Sequence, residues 1–335
     1  MVDAFTLEDG GQPAEAVAKR LIAWLEGASR SLDLALYDVR LPGPVGDAVA
    51  GALRDAMGRG VRVRIAFNDD TPGPDPRPFE PPPPSTQPHV LESLGAELRP
   101  VPGWRDLMHH KYVVRDDAAV WTGSANWTLD SWTRQENVLA TADDSALARA
   151  YARNFAQIWV KGRIGKSGDF DVPGVWFTPG RGRELSHRIA ERIGAARRRV
   201  RIATPLVTAG PILAAINEAI SEGTDIAGVC DATQTRQVFR QWSQNPASEW
   251  KAPLLVRALE AFSGKPSTPY EPGSLHDFMH AKVTVADDIV FLGSFNLSRS
   301  GEMNAENVLE IEDPALAERL AGWIDALRAR YPGGI

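Results

Sequence analysis

One pattern of unlike residues occurs twice in this chain at matched spacing, and that duplication limits the fold more than any other feature. His109, Lys111 and Asp116 are followed by Gly123, Ser124, Asn126 and Glu136; His280, Lys282 and Asp287 are followed by Gly293, Ser294, Asn296 and Glu306. The 335 residues include only six histidines, so two that recur with a lysine and a carboxylate at the same offsets mark a copied unit. Valine-rich runs follow each histidine, at 113–114 and 283–285, so each motif is expected to open a strand. Side chains two residues apart on a strand share a face, which puts each His-Lys pair on one surface.

The copying extends around the motifs. Apolar periodicity predicts helices over 17–25 and 189–193, then 45–57 and 212–220, the second pair ending at Gly60 and Gly223. Strands are expected over 32–37 and 200–203, then over 61–67 and 225–229. Hairpins should join 112–114 to 119–122 and 283–285 to 289–292, turning at Asp116-Asp117 and Asp287-Asp288. Strands alternating with helices of about a dozen residues belong to the α/β class, with helices covering both faces of each mixed sheet. The expected organisation is two similar α/β/α sandwich lobes, residues 1–165 and 175–335, related by a pseudo-twofold axis. Gly, Ser, Asp and Pro interrupt the periodicity between them, over 162–174.

Two features depart from the symmetry. Six residues separate Asp116 from Gly123 but only five separate Asp287 from Gly293. The segment 71–88 holds nine of the 25 prolines, too stiff for a helix or a central strand, and is expected to be a rigid loop shaping a substrate pocket rather than a polyproline ligand. The corresponding part of the second half carries Trp242 and Trp250 instead.

Composition sets outer bounds. With 43% hydrophobic and 24% charged residues, the chain can bury two cores. A net charge of -6 argues against broad adhesion to nucleic acid or anionic membranes, although a local basic groove remains compatible with it. No apolar run reaches the roughly 18 residues that span a bilayer, so no integral membrane segment is expected. Residues 1–10 lack the basic start and apolar core of a secretion signal, and Cys230 has no partner within the chain. A monomer in a reducing cytoplasm is the expected state.

A cleft between two such halves would gather His109, Lys111, His280 and Lys282. That set suits a phosphodiester. The lysines, with Ser124, Asn126, Ser294 and Asn296 as phosphate-binding neutral donors, would hold the non-bridging oxygens as charge develops on them. One neutral imidazole can attack phosphorus while the other, protonated, supplies the departing oxygen with a proton; release of the phosphohistidine then reverses the roles. Two in-line displacements retain configuration at phosphorus. Glu136 and Glu306 are placed to accept from the far ring nitrogen of a histidine. Asp116 and Asp287 are candidates for the same supporting layer, in competition with turn capping. A metal site is disfavoured, because each cluster offers a cation where a further ligand would stand. His89, His110, His187 and His276 read as structural.

At these residues the chain resembles the phospholipase D superfamily, whose hallmark is HxKxxxxD with a trailing GSxN and a glutamate. The resemblance implies a bilobed α/β/α fold, a metal-independent and cofactor-free phosphodiesterase or phosphatidyltransferase, and a covalent phosphohistidine. By likeness to members with two motifs, His109 is the nucleophile and His280 the general acid and base. Phospholipids are the favoured substrate class and nucleic acid the alternative. Since all four His and Lys positions are filled, a non-catalytic module is the least favoured reading.

Overall fold

A computed structural model describes residues 2–69, 91–103, 106–165, 172–269 and 274–335. The proline-rich segment 71–88, His89 and Trp104 lie outside the described residues.

In chain order the first half supplies β1 (Val2–Leu7), β2 (Ser31–Leu36), β3 (Val39–Arg40), β4 (Arg62–Asp69), β5 (Glu97–Pro102), β6 (Lys111–Arg115), β7 (Ala119–Gly123), β8 (Trp127–Thr128) and β9 (Asn137–Asp143). The second supplies β10 (Val175–Phe177), β11 (Val200–Ala203), β12 (Ile226–Asp231), β13 (Phe262–Lys265), β14 (Val283–Ala286), β15 (Ile289–Gly293) and β16 (Asn307–Glu312). Two seven-stranded sheets result, ordered β1-β9-β7-β6-β2-β4-β5 and β10-β16-β15-β14-β11-β12-β13, with β3 and β8 paired separately. Strand for strand the two orders are the same, so the duplicated sequence folds as two similar lobes. Each sheet is mixed: β2, β4 and β5 run parallel while the hairpin strands pair antiparallel, and β11, β12 and β13 repeat the arrangement.

Burial follows from the helical layers on both faces. All six residues of β2 are buried. On its outer side the helix Ala14–Glu26 turns Val17, Ala18, Leu21 and Leu25 inward, the single stripe its spacing predicts. The helices Ser145–Lys161 and Pro314–Arg330 fill the space between the sheets, where Tyr151, Phe155, Leu320 and Ile324 join Tyr112, Val114, Val283 and Leu309 in one apolar cluster. The lobes therefore share a core, and their relative position is held by packing rather than by a flexible linker.

The turns of the motif hairpins explain the aspartates. Arg115 pairs with Ala119 and Ala286 with Ile289, so the first turn has three residues and the second two. The one-residue inequality is thus taken up inside the turn, and both glycine-serine pairs still end their strands alike. Asp116 and Asp117 (φ 57° and 54°) and Asp287 (φ 52°) occupy the left-handed region that Asp tolerates better than most residues. The Asp116 carboxylate accepts backbone N–H bonds from Ser29, Arg30 and Ser31 at 2.7–2.8 Å. Asp287 accepts from Arg197, Arg198 and Arg199 at 2.8–3.0 Å. Both aspartates thus pin a hairpin turn to the run-in of a neighbouring strand, at the far end of the hairpin from the histidine. Of the two roles open to them, they take turn capping, and their place in a supporting layer behind the histidines is corrected.

Candidate active site

His109 and His280 stand just before β6 and β14, and each is held by the opposite lobe. The His109 N–H donates to Ala305 O at 3.0 Å, and the His280 N–H to Glu136 O at 3.2 Å. The rings are cross-braced as well: His109 Nδ1 lies 2.8 Å from Glu306 Oε2, and His280 Nδ1 lies 3.0 Å from Asn137 Oδ1. Both imidazoles open on one cleft of about 1100 Å³, which Asn126, Asn296, Tyr37 and Gln135 also line. Tyr37 meets His109 edge-on, with ring centres 4.6 Å apart.

Glu136 is not where the spacing puts it. Ser124 N donates to Val138 O at 2.8 Å, whereas Ser294 N donates to Asn307 O at 2.9 Å. Glu-Asn-Val-Leu occurs at 136–139 and 306–309, so equal spacing would have matched Val138 with Val308. Relative to its counterpart the first-lobe strand is slipped by one residue, and a slip of one exchanges the faces of a strand. Asn137 therefore takes the place that Glu306 holds in the other lobe. The Glu136 carboxylate turns the other way, accepting from Lys265 Nζ at 2.7 Å and from the Tyr331 hydroxyl at 2.5 Å.

The phosphate-binding expectations divide. Asn126 and Asn296 line the cleft, and their side-chain oxygens have no hydrogen-bond partner among the described residues. Ser124 and Ser294 are instead committed behind the histidines: their hydroxyls donate to Asn137 Oδ1 at 2.7 Å and to Glu306 Oε2 at 2.6 Å. Gly123 and Gly293 precede them because a Cβ there would sit 2.3 Å from Val138 O and 2.1 Å from Asn307 O. Lys111 and Lys282 fold back so that each ammonium donates to the carbonyl of the histidine two residues earlier, at 2.6 and 2.5 Å.

Burial governs the charges. It holds both His109 and His280 well below the ordinary histidine range, and the neighbouring lysines lower them further, which favours the neutral form of both rings. Burial also pulls Lys111 down to about 7, against the attraction of Glu306 and Asp38, and puts Lys282 well below the usual lysine range. The Glu306 carboxyl is pushed up to about 8 by burial, with Lys111 opposing. A cluster this short of charge gains most from an arriving anion, which would restore the ammonium forms and raise the imidazoles.

A sequence-family profile described as "Cardiolipin synthase, PLD-like domain" matches residues 21–159 and again 189–328. The chain belongs to this phospholipase D-like family. Among curated proteins it resembles a mitochondrial cardiolipin hydrolase of Xenopus laevis (33% identical over 146 residues, 43% of this chain and 62% of that one). A human protein of the same description is 32% identical over 148 residues, covering 43% and 52%. The chain thus spans just over half to about 62% of the length of these relatives. Among solved structures it resembles the phosphatidylserine synthase of Haemophilus influenzae Rd KW20, with a TM-score of 0.65 at 12% identity over 98% of this chain and 86% of that one. The polyphosphate kinase of Porphyromonas gingivalis gives a TM-score of 0.64 at 10% identity, covering 97% and 47%. These structural likenesses establish the shared fold.

Within this phospholipase D-like framework, several site residues carry no motif signal. Besides Asn137, they include the His276–Asp130 pair at 3.4 Å, with His276 stacked on Phe278, and Asp38, held by Arg40 through two bonds of 2.9 Å. All of these except Asn137 line the cleft, where His276 is buried in the wall and paired with Asp130. Counting offsets could have found Asn137 only as a neighbour of Glu136. His110 does behave structurally: it is fully buried, bonded to Asn307 and packed edge-on against Tyr112. Among the described residues no group of three His, Cys, Asp or Glu side chains is arranged to hold a metal, and no helix is long and apolar enough to cross a membrane.

Proposed function

We propose that this chain is a phosphodiesterase working through a covalent phosphohistidine, with His109 as nucleophile and His280 as general acid and then base. The carrying observation is the cross-brace: each imidazole is anchored by Nδ1 to the opposite lobe and both rings line one cleft, with the buried Lys111 and Lys282 beside them. In the first step the lone pair of His109 Nε2 attacks phosphorus and the P–O bond to the leaving group breaks. His280 enters this step as the imidazolium, having gained a proton at Nε2 from solvent as the anionic diester binds, and passes that proton to the departing oxygen. Water then loses a proton to His280 as it attacks phosphorus, and the P–N bond breaks to regenerate His109. Lys111, Lys282, Asn126 and Asn296 supply the charge and the amide donors that hold the non-bridging oxygens. An alcohol in place of water would give head-group transfer. Since both lysines and both histidines come from one chain, a monomer suffices, and the buried, unpaired Cys230 suits the reducing cytoplasm we propose as its location.

For the substrate we favour a phospholipid. Three of the five exposed large hydrophobic side chains among the described residues, Trp250, Leu275 and Met303, stand within three residues of the cleft-lining Lys251, His276 and Ser300. Exposed apolar side chains near a cleft suit a lipid surface, and the relatives described as cardiolipin hydrolases point the same way. A nucleic-acid strand is the second reading, favoured by the wall on which Gln234, Gln237, Gln241 and Arg240 line the cleft. The net charge of -6 weighs against it. Incubation in chelator with cardiolipin or phosphatidylcholine vesicles, and separately with single- and double-stranded DNA, tests the choice. Head-group release without DNA cleavage is expected; DNA cleavage alone would transfer the assignment to the second reading.

A further inference from the structure

Although the motifs repeat, the two histidines do not have the same chemical backing. Behind His109 stands the buried carboxylate of Glu306, which also accepts from Ser294 and from the Asn304 amide at 3.2 Å. Behind His280 stands a neutral amide. Which atom of that amide faces the ring is decided by its other bonds. Asn137 Nδ2 lies 3.0 Å from Ser131 O, a carbonyl that can only accept, so the opposite atom, facing His280 and Ser124, must be the oxygen. The Ser124 hydroxyl already accepts from Val138 N at 2.9 Å and is free to donate to that same oxygen. An amide oxygen cannot donate, so the proton between Asn137 and His280 belongs to the imidazole.

We infer that Asn137 is the positioning residue for His280: its amide oxygen fixes the ring in the Nδ1–H form, aims a bare Nε2 into the cleft, and withholds the carboxylate that His109 has. This rests on the phosphodiesterase reading and divides the labour within it. The phosphohistidine intermediate carries positive charge on its imidazole; that charge favours the ionised form of Glu306, whose carboxyl burial otherwise pushes up to about 8, and the carboxylate then balances it behind His109. His280 must instead release a proton to the leaving oxygen and recover one from water, and a neutral partner keeps its conjugate acid strong enough to do so. The asymmetry originates in the strand slip, because the carboxylate that would have stood behind His280 is held elsewhere by Lys265 and Tyr331. The remaining groups facing His280 are Lys282, Lys111 and His109, with Glu306 behind His109 and the His276–Asp130 pair on the cleft wall.

The test uses the full chain with isotope-labelled histidine, and bis(p-nitrophenyl) phosphate as a diester that commits to no natural substrate. Nitrogen NMR of the wild type should show neutral His280 protonated at Nδ1. Asn137→Asp, which places a carboxylate behind the ring, should raise the titration of His280 by about one to three pH units and move the alkaline limb of the turnover profile upward with it. Asn137→Leu should release the tautomer and lower turnover about tenfold or more with little change in KM. Wild-type His280 protonated at Nε2, or an Asn137→Asp titration and profile that superimpose on the wild type, would overturn the inference. If Asn137→Leu does not fold, the wild-type tautomer and the aspartate variant still decide. A wild type without diester cleavage would count against the phosphodiesterase reading, whereas the tautomer measurement judges the role of Asn137 either way.

Discussion

Replacing Lys265 with methionine isolates the consequence of the strand slip. The Glu136 carboxylate is fully buried and the Lys265 side chain is 2% exposed, so this ion pair, 2.7 Å long, is largely shielded from solvent. Removing the ammonium leaves Glu136 with the Tyr331 hydroxyl and the more distant Asp9 N–H at 3.4 Å. Breaking a buried pair from one side costs about 3–5 kcal/mol, far above the ~0–1 kcal/mol of a surface pair. Burial already raises the Glu136 carboxyl above its ordinary range against the pull of Lys265, and without Lys265 it will rise further. A carboxyl raised in the folded state is tolerated below its unfolded pKa and becomes a liability as pH climbs through the folded value. The destabilisation by Lys265→Met should therefore be large near pH ~8 and shrink toward pH ~5. Urea denaturation at both pH values measures it, and Glu136→Gln combined with Lys265→Met should recover most of the loss. A loss below about 1 kcal/mol at alkaline pH, or a double variant no better than the single, would refute the claim that this pair is a buried inter-lobe clamp.

Other outcomes follow from the same geometry. Asp116→Ala removes three backbone acceptor bonds at the hairpin turn and should cost about 1–3 kcal/mol in chemical denaturation while leaving turnover within a few-fold; a loss of turnover without loss of stability would return Asp116 to the chemistry. Lys111→Met should lower turnover about 10²–10³-fold. The same change should stabilise the empty protein at neutral pH, because the folded lysine titrates at about 7 and the unfolded one near 10.5, so at neutral pH folding strains against a proton that the unfolded chain keeps. A melting temperature that falls in this variant would contradict the electrostatic picture. Tungstate, as an inert oxyanion, should raise the melting temperature of the wild type more than that of Lys111→Met; equal shifts would mean that the anion binds elsewhere.

Spacing alone made much of the molecule legible. The duplicated motifs foretold two lobes, and the two sheets share one strand order because both copies carry the same succession of apolar runs. Even the unequal hairpins proved harmless, since a turn can lose a residue without shifting the strands that leave it. Other features depend on which face a side chain presents, and offsets do not determine that. Glu136 and Glu306 sit in identical Glu-Asn-Val-Leu segments, yet a one-residue slip sends one toward Lys265 and the other toward His109. Ser124 and Ser294 look like phosphate donors until their hydroxyls are found on the partners of the histidines. His276 and Asp130 come from opposite lobes, so no local pattern joins them.

The proposed chemistry requires both imidazoles to address one phosphorus atom, and a crystal structure of the vanadate complex tests that directly. Vanadium bonded to His109 Nε2, with His280 Nε2 hydrogen-bonded to the apical oxygen opposite and the two lysines near the equatorial oxygens, is the predicted result. Vanadate bound through only one of the two histidines, with the other ring out of reach of the anion, would contradict it.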